Sequence, residues 1–443
     1  MKNMTVGKPM KLIFLFAMPL MLGNILQQLY TLVDTMIVGQ FLGVDALASL
    51  GAADWINWAM LGIVMGFTQG FSIRISYAYG AQDFKRMEKI MAMILIACFV
   101  LGIILTIGVQ VIITPLLHLL KTPDNIIEGS ITYLRVMSAG VLIVMFYNCF
   151  SCILRALGNS RTPLIAMVSA AIINIILDLL SVCVFHFGIA GAAIATLIAQ
   201  MAAALYCYDV LKKELPFTIH KESFSFDYPT MKGLIQIGTP LAFQNAIISA
   251  GGIVVQSVVN SFGFLFVAGF TATNKLYGLL EVAAISFGYA ITTFNSQNLG
   301  AKQYERMKHG VFQANLLSLT TSLIISIMML IFGKSILLLF ISGSVHQIEV
   351  VLSIAFRYLS IMAICLPILY VLHTYRSALQ GMENTFIPML SGIVELIMRI
   401  GIALFLPLFI GQDGIYYAEV FAWSGAAILL YISYRVKIKA YFK

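Results

Sequence analysis

Long apolar runs separated by short polar breaks fill the chain from residue 12 to residue 434. A run must be about 20 residues long for a helix to cross a hydrocarbon core. Twelve runs qualify, at 12–38, 46–72, 91–116, 131–153, 164–185, 190–211, 234–260, 264–295, 311–333, 351–372, 388–409 and 414–434. Lipid offers the backbone no hydrogen-bonding partner, so each run is expected to be a helix. The expected fold class is an all-α polytopic membrane protein with twelve transmembrane helices.

Against this pattern the polar positions inside runs are the informative ones. Asn174-Ile-Ile-Leu-Asp178 sets two polar residues four apart, on one helix face. A mid-membrane Asp costs about 2.5–3.5 kcal/mol on insertion scales, so one that is kept is expected to handle ions or protons. Asp34, Glu281, Glu395 and Glu419 also lie well inside runs, whereas Asp54 and Asp209 fall near run ends and read as solvated edges. Pro19 interrupts the first run and removes a helix hydrogen bond, which predicts a kink or hinge.

The pattern repeats. Ala17-Met-Pro19-Leu-Met-Leu-Gly-Asn24 matches Gly238-Thr-Pro240-Leu-Ala-Phe-Gln-Asn245. Gly80-Ala-Gln-Asp-Phe-Lys-Arg86-Met87 matches Gly300-Ala-Lys-Gln-Tyr-Glu-Arg306-Met307, and Leu154 to Pro163 matches Leu379 to Pro388. The offsets are 221, 220 and 225, in one order along the chain. Two homologous six-helix bundles are expected, with an N-lobe at 1–211, a cytoplasmic linker at 212–233 and a C-lobe at 234–443. An even number of helices per half makes the repeats parallel. In transporters the substrate site lies at such a repeat interface, and rocking of the bundles gives alternating access.

Composition agrees. The chain has 443 residues, of which 60% are hydrophobic and 10% charged, and its mean hydropathy is +0.95. Soluble domains carry about 25% charged residues. The net charge of +8 is a membrane-topology signal, not a nucleic-acid footprint. With both termini in the cytoplasm, most of the 27 Lys and Arg fall in inner loops and only Lys121 and Lys334 in outer ones. The six Cys sit in apolar runs and read as small buried side chains, and the Cys149–Cys152 spacing finds no second pair to complete a zinc site.

The repeat also exposes an asymmetry. At the 225 offset Asn148 corresponds to His373, Asn174 to Arg399 and Asp178 to Ala403, and at the 221 offset Asp34 corresponds to Val255. Only the first half keeps the acid-bearing set. Asp34, Asn148, Asn174 and Asp178, with the Thr196 hydroxyl on the sixth run, form a candidate cation or proton site. Such oxygens suit a hard cation such as Na⁺, and a buried carboxyl suits H⁺. In the second half Glu395 and Arg399, four apart, read equally as a local ion pair or as substrate-site residues. Glu281 and Glu419 have no obvious partner, and a cleft-facing acid would attract a cationic substrate.

These motifs resemble the multidrug and toxic compound extrusion family, over essentially the whole chain. The resemblance rests on the Pro19 stretch, Val33-Asp34-Thr35-Met-Ile-Val-Gly39 and Gly80-Ala81. It continues through Arg155 to Pro163, Asn174 to Asp178 and Gly188 to Thr196. It looks closest to the bacterial branch with the MepA-type and DinF-type pumps. It implies an antiporter that exports organic cations from the bacterial inner membrane in exchange for H⁺ or Na⁺. It also implies a first-lobe cation site matched by Asp34, Asn148, Asn174, Asp178 and Thr196, and a bending first-helix proline matched by Pro19. Some relatives use acids on the seventh and tenth helices; the runs 234–260 and 351–372 carry none.

The expected function is therefore secondary active export of drugs or organic cations, not enzyme catalysis. No cofactor beyond the coupling ion, no structural metal and no nucleic acid are expected. The partners are small organic cations and membrane lipid, and the chain is expected to be monomeric. A lipid-linked sugar flippase is the near alternative, disfavoured by the few basic residues in the runs, and a channel is the alternative from another class.

Overall fold

The computed structural model describes residues 3–442 except Lys121, Pro216, Phe340, Ser342 and Gly343, and leaves out the side chains of Leu32, Val44 and Trp55. Lys121, one of the two outer-loop cations, thus lies outside the described residues. The helices are α1 Pro9–Leu42, α2 Val44–Gly80, α3 Phe84–Leu119, α4 Asp124–Ala139, α5 Val141–Ala156, α6 Arg161–Asp178 and α7 Gly188–Glu214. They continue as α8 Tyr228–Asn260, α9 Phe264–Gly300, α10 Tyr304–Leu337, α11 Val345–Gly381, α12 Phe386–Phe405, α13 Pro407–Ile410 and α14 Ala418–Ala440.

All twelve apolar runs fall on helix, but three are not simple spans. Among the described residues ten stretches are individually long and apolar enough to cross a membrane, and eleven with the pair α4–α5. That pair, the fourth run, is bent by 50° at Gly140. The last stretch, Phe386–Ala440, runs 55 residues and holds both the eleventh and twelfth runs. It is broken by α13 and the 3-10 turn Gly411–Tyr417.

The repeat is visible in the backbone. Gly43 and Gly263 have φ of 88° and 91° at the breaks before α2 and α9. Gln82 and Lys302 sit at 57° and 56°, and Gly158 and Glu383 at 83° and 57°. A left-handed conformation costs a non-glycine residue about 1–2 kcal/mol. Its recurrence at matching positions means the turns themselves are duplicated.

The chain divides into two compact units that do not follow the two halves of the sequence. One contains Pro19–Ala242; the other contains Met4–Met18 and Phe243–Lys443. Compared with the expected lobes, the first turns of α1 belong to the second unit, and the connector with the first turns of α8 belongs to the first. Hydrogen bonds explain both assignments. In the second unit the Met4 N–H donates to Gln297 Oε1 at 2.8 Å, and its carbonyl accepts from Asn298 Nδ2 at 3.2 Å and Arg306 at 3.1 Å. Met4, Gln297 and Asn298 are fully buried there. In the first unit Lys89 Nζ donates to the Ser225 carbonyl at 2.6 Å, and Glu88 accepts from the His220 N–H at 2.8 Å and the Ser223 hydroxyl at 2.6 Å. The expected linker 212–233 therefore narrows, because α7 runs on to Glu214 and α8 starts at Tyr228.

The core of the first unit is Met- and Cys-rich, with Met91, Met93, Cys98, Met145 and Cys149 packed between α3 and α5. In it the α2 and α8 backbones approach closely. A Cβ on Gly66 would lie 2.4 Å from the Ala242 nitrogen, and one on Gly70 would lie 2.6 Å from the Gly238 Cα. Both obstacles are backbone, so no side chain can move away. Gly66→Leu is expected to destabilise the protein by about 1–3 kcal/mol, the usual cost of overpacking. A thermal-unfolding midpoint in detergent equal to that of the parent would refute this. The second unit is held by an aromatic stack in which Phe270 and Tyr358 lie 4.6 Å apart at 7° and Tyr358 and Tyr416 lie 5.4 Å apart.

Candidate functional site

The site is built on α1, α6 and α7 of the first unit. Asp178 ends α6 at the point where the helix widens into a π-helical turn, Leu179–Val184. Such turns often mark functional positions, because the extra residue re-aims side chains. Asp178 is fully buried and Asn174, one turn back, is 2% exposed. Asn174 Nδ2 donates to the Thr196 hydroxyl on α7 at 3.3 Å, and that hydroxyl donates to the Ala192 carbonyl at 3.1 Å.

Asp34 comes in from α1. Its carboxyl and that of Asp178 are near enough to act on each other electrostatically. No protein donor reaches Asp34 Oδ1, Asn174 Oδ1 or either oxygen of Asp178. Unpartnered buried acceptors cost about 1–3 kcal/mol each. Four such oxygens on these three residues have the chemistry to accept a proton or to ligate a hard cation. Between two carboxyl groups a hydrogen bond forms only if one of them carries a proton.

A cavity of about 40 Å³ lies against Asn174 and Thr196, with Gln27, Tyr30, Tyr147 and Gln200 among its other walls. That is room for water, which needs about 10–15 Å³. Gln200 Oε1 is a further buried acceptor without a donor, and Tyr30 and Tyr133 are within electrostatic reach of both carboxyl groups. The sequence pattern passed over Gln27, Tyr30 and Gln200. Their spacing was the available signal, since Gln27, Tyr30 and Asp34 share an α1 face and Thr196 and Gln200 share an α7 face.

Of the five predicted ligands, Asp34, Asn174, Asp178 and Thr196 come together. Asn148 makes no hydrogen bond to them. It is half-buried, and its amide donates to the Val144 carbonyl one turn back on α5 at 2.9 Å. Pro19 lies inside α1 at the residue where that helix passes from one unit to the other.

The second unit presents a different chemistry on the matching face. The buried face of α12 carries Ser391, Glu395, Arg399 and Ala403, the counterparts of Ala166, Ala170, Asn174 and Asp178. Glu395 and Arg399 do not pair with each other. Glu395 pairs with Arg376 of α11, which also donates to the Ser391 hydroxyl at 3.2 Å. Arg399 pairs with Glu419 of α14 at 2.8 Å and donates to the Ile248 carbonyl at 3.3 Å. Glu281 faces His373 at 3.2 Å. The reading of Glu395–Arg399 as a local pair is thus replaced by pairs between helices, and Glu281 and Glu419, which looked partnerless, each have a partner.

The comparisons with known proteins agree with this architecture. The MatE family model matches twice, over residues 19–180 and 240–405. The two matches begin at Pro19 and Pro240, the pair that opened the repeat. The chain is 31% identical over 342 residues to the probable multidrug resistance protein YpnP of Bacillus subtilis, covering 77% of this chain and 76% of that one. It is 26% identical to the probable multidrug resistance protein NorM of Thermotoga maritima, covering 84% and 80%. Its fold matches that of a MOP superfamily transporter from Pyrococcus furiosus with a TM-score of 0.93 at 24% identity, over 100% of this chain and 98% of that one. A double match to the family model, relatives along most of the length and the duplicated helical bundle lead to one conclusion: the chain belongs to the MatE family of multi-pass membrane transporters.

Proposed function

We propose that this protein is a drug exporter of the bacterial inner membrane that expels organic cations by alternating access, driven by protons entering at Asp34 and Asp178. The relatives named for multidrug resistance support the export of small molecules. The single observation behind the coupling is the pair of neighbouring carboxyl groups whose buried oxygens, Asp34 Oδ1 and both of Asp178, meet no protein donor. One proton satisfies the pair, and its loss leaves two adjacent buried negative charges. The two protonation states therefore favour different local structures, which is all that coupling requires. Sodium is the competing ion, because the Asn174, Asp178 and Thr196 oxygens also suit a hard cation. The acids of the second unit, Glu281 above all, would favour a cationic substrate.

The test is dye efflux from proteoliposomes holding the purified protein. An inward proton gradient is expected to drive ethidium-type efflux, and a sodium gradient at equal pH is not. Efflux under the sodium gradient alone would reassign the ion. Dye movement indifferent to either gradient would remove antiport altogether.

A further inference from the structure

A second recess lies away from the carboxyl pair, within the second unit alone. It is an open groove of about 620 Å³ between the end of α10 and the side of α11. That size falls within the roughly 300–1,000 Å³ usual for small-molecule sites. Its charged residues line the outer part of the groove, with Glu349 at the end and Lys334 and Arg357 about two helical turns further along. Lys334 stands over the Phe356 ring at 4.9 Å and has no ion-pair partner among the described residues. Arg357, 63% exposed, is held by Asp413 at 2.8 Å and leaves donors facing solvent. Glu349 lies on the same wall, exposed, with no cation paired to it among the described residues. Beyond Lys334, Phe356 and Arg357 the groove turns apolar, where Ile361 and the 65% exposed Ile364 continue along α11.

The groove is therefore amphipathic along its length. From Glu349 to Ile364 the helix rises about 22 Å. One leaflet of hydrocarbon is about 15 Å deep, half of a core about 30 Å thick, with the headgroup layer beyond it. A ligand with a polar head and long tails matches that distance, and a compact hydrophilic solute does not. The charges define the head. Lys334 and Arg357 offer donors for a phosphate, and Glu349 offers an acceptor. With Asp413 included, two cations face two acids, so a head with net negative charge finds no surplus positive charge. A zwitterion does, provided its cationic end can donate to a carboxylate.

We propose that this groove binds a phospholipid whose zwitterionic head is phosphoethanolamine. Its phosphate meets Lys334 and the free edge of Arg357, its ammonium donates to Glu349, and an acyl chain lies against Phe356, Ile361 and Ile364. Phosphocholine carries the same charges but no N–H donor, so it cannot make the bond to Glu349. Phosphoglycerol carries the phosphate and neutral hydroxyls, so any bond it makes to Glu349 lacks the charge of the ammonium.

The experiment is lipid titration of the delipidated full-length protein by native mass spectrometry. Phosphatidylethanolamine, phosphatidylcholine and phosphatidylglycerol with identical acyl chains are compared. The ethanolamine lipid is expected to bind about tenfold more tightly than the other two, the effect of one charge-assisted hydrogen bond. Glu349→Gln should erase that preference, and Lys334→Gln should weaken all three lipids. Both positions are exposed, so folding is not at stake. Equal binding of the three lipids, or an unchanged preference in Glu349→Gln, would overturn the proposal. Displacement of the lipid by free O-phosphoethanolamine at matching concentration would also overturn it, by assigning the site to a soluble phosphate ester.

Discussion

Replacing Asp178 by Asn is expected to abolish gradient-driven efflux while leaving the amount of folded protein in the membrane unchanged. The reasoning lies in what surrounds the side chain. Asp178 is fully buried, and neither of its oxygens accepts a hydrogen bond from a protein donor. It therefore adds nothing to stability as a paired charge, and losing it breaks no internal bond. The amide keeps the shape and can donate to Asp34. The variant thus resembles permanently the protonated form of the pair, locked in one of its two states. Substrate binding should persist, and uphill movement should fall to the level of empty liposomes. Asp34→Asn is expected to behave in the same way, since either acid alone leaves no shared proton. Asn148→Ala is the contrast: that amide bonds within its own helix, so driven efflux should survive. Wild-type efflux by Asp178→Asn at normal expression would sink the coupling scheme.

Arg376→Met is expected to lower stability severely, by about 3–5 kcal/mol, the cost of leaving a buried ion without its partner. The Arg376 and Glu395 side chains are 8% and 5% exposed, and they pair between α11 and α12. Removing the guanidinium strands a carboxylate that water cannot reach. The double variant Arg376→Met/Glu395→Met should recover most of the loss, because replacing a whole buried pair with apolar groups is often neutral. Unfolding midpoints of the two single variants and the double variant, compared as a cycle, would decide it. A double variant no more stable than the singles would mean that the pair does not act as a unit.

Much of the fold was legible in the sequence because membranes impose a strong length rule and the chain repeats itself. The twelve runs all proved helical. The bend at Gly140 was not legible, since the run across it stays apolar and hydropathy is blind to direction. The division into units was hidden for a related reason. The first turns of α1 and α8 read as parts of ordinary spans, and only the grip on Met4 and Ser225 places them.

At the site, Asn174 and Asp178 stand out in the sequence because two polar residues four apart in an apolar run carry an insertion cost that something must offset. Asp34 and Thr196 rested on the repeat comparison and the family resemblance. The second-unit pairs were out of reach by contrast. Glu395 lies 19 residues from Arg376, Arg399 lies 20 from Glu419, and His373 lies 92 from Glu281. Helix periodicity says nothing about partners on other helices, and the nearer match, Glu395 with Arg399, misleads.

The exchange of leading turns bears on how such a chain could be cut. Split between α7 and α8, each fragment would hold part of the other's unit: the front one Met4–Met18, the rear one the start of α8. Neither would have a complete set of packing partners alone, so each should be degraded when produced singly and rescued when both are produced together.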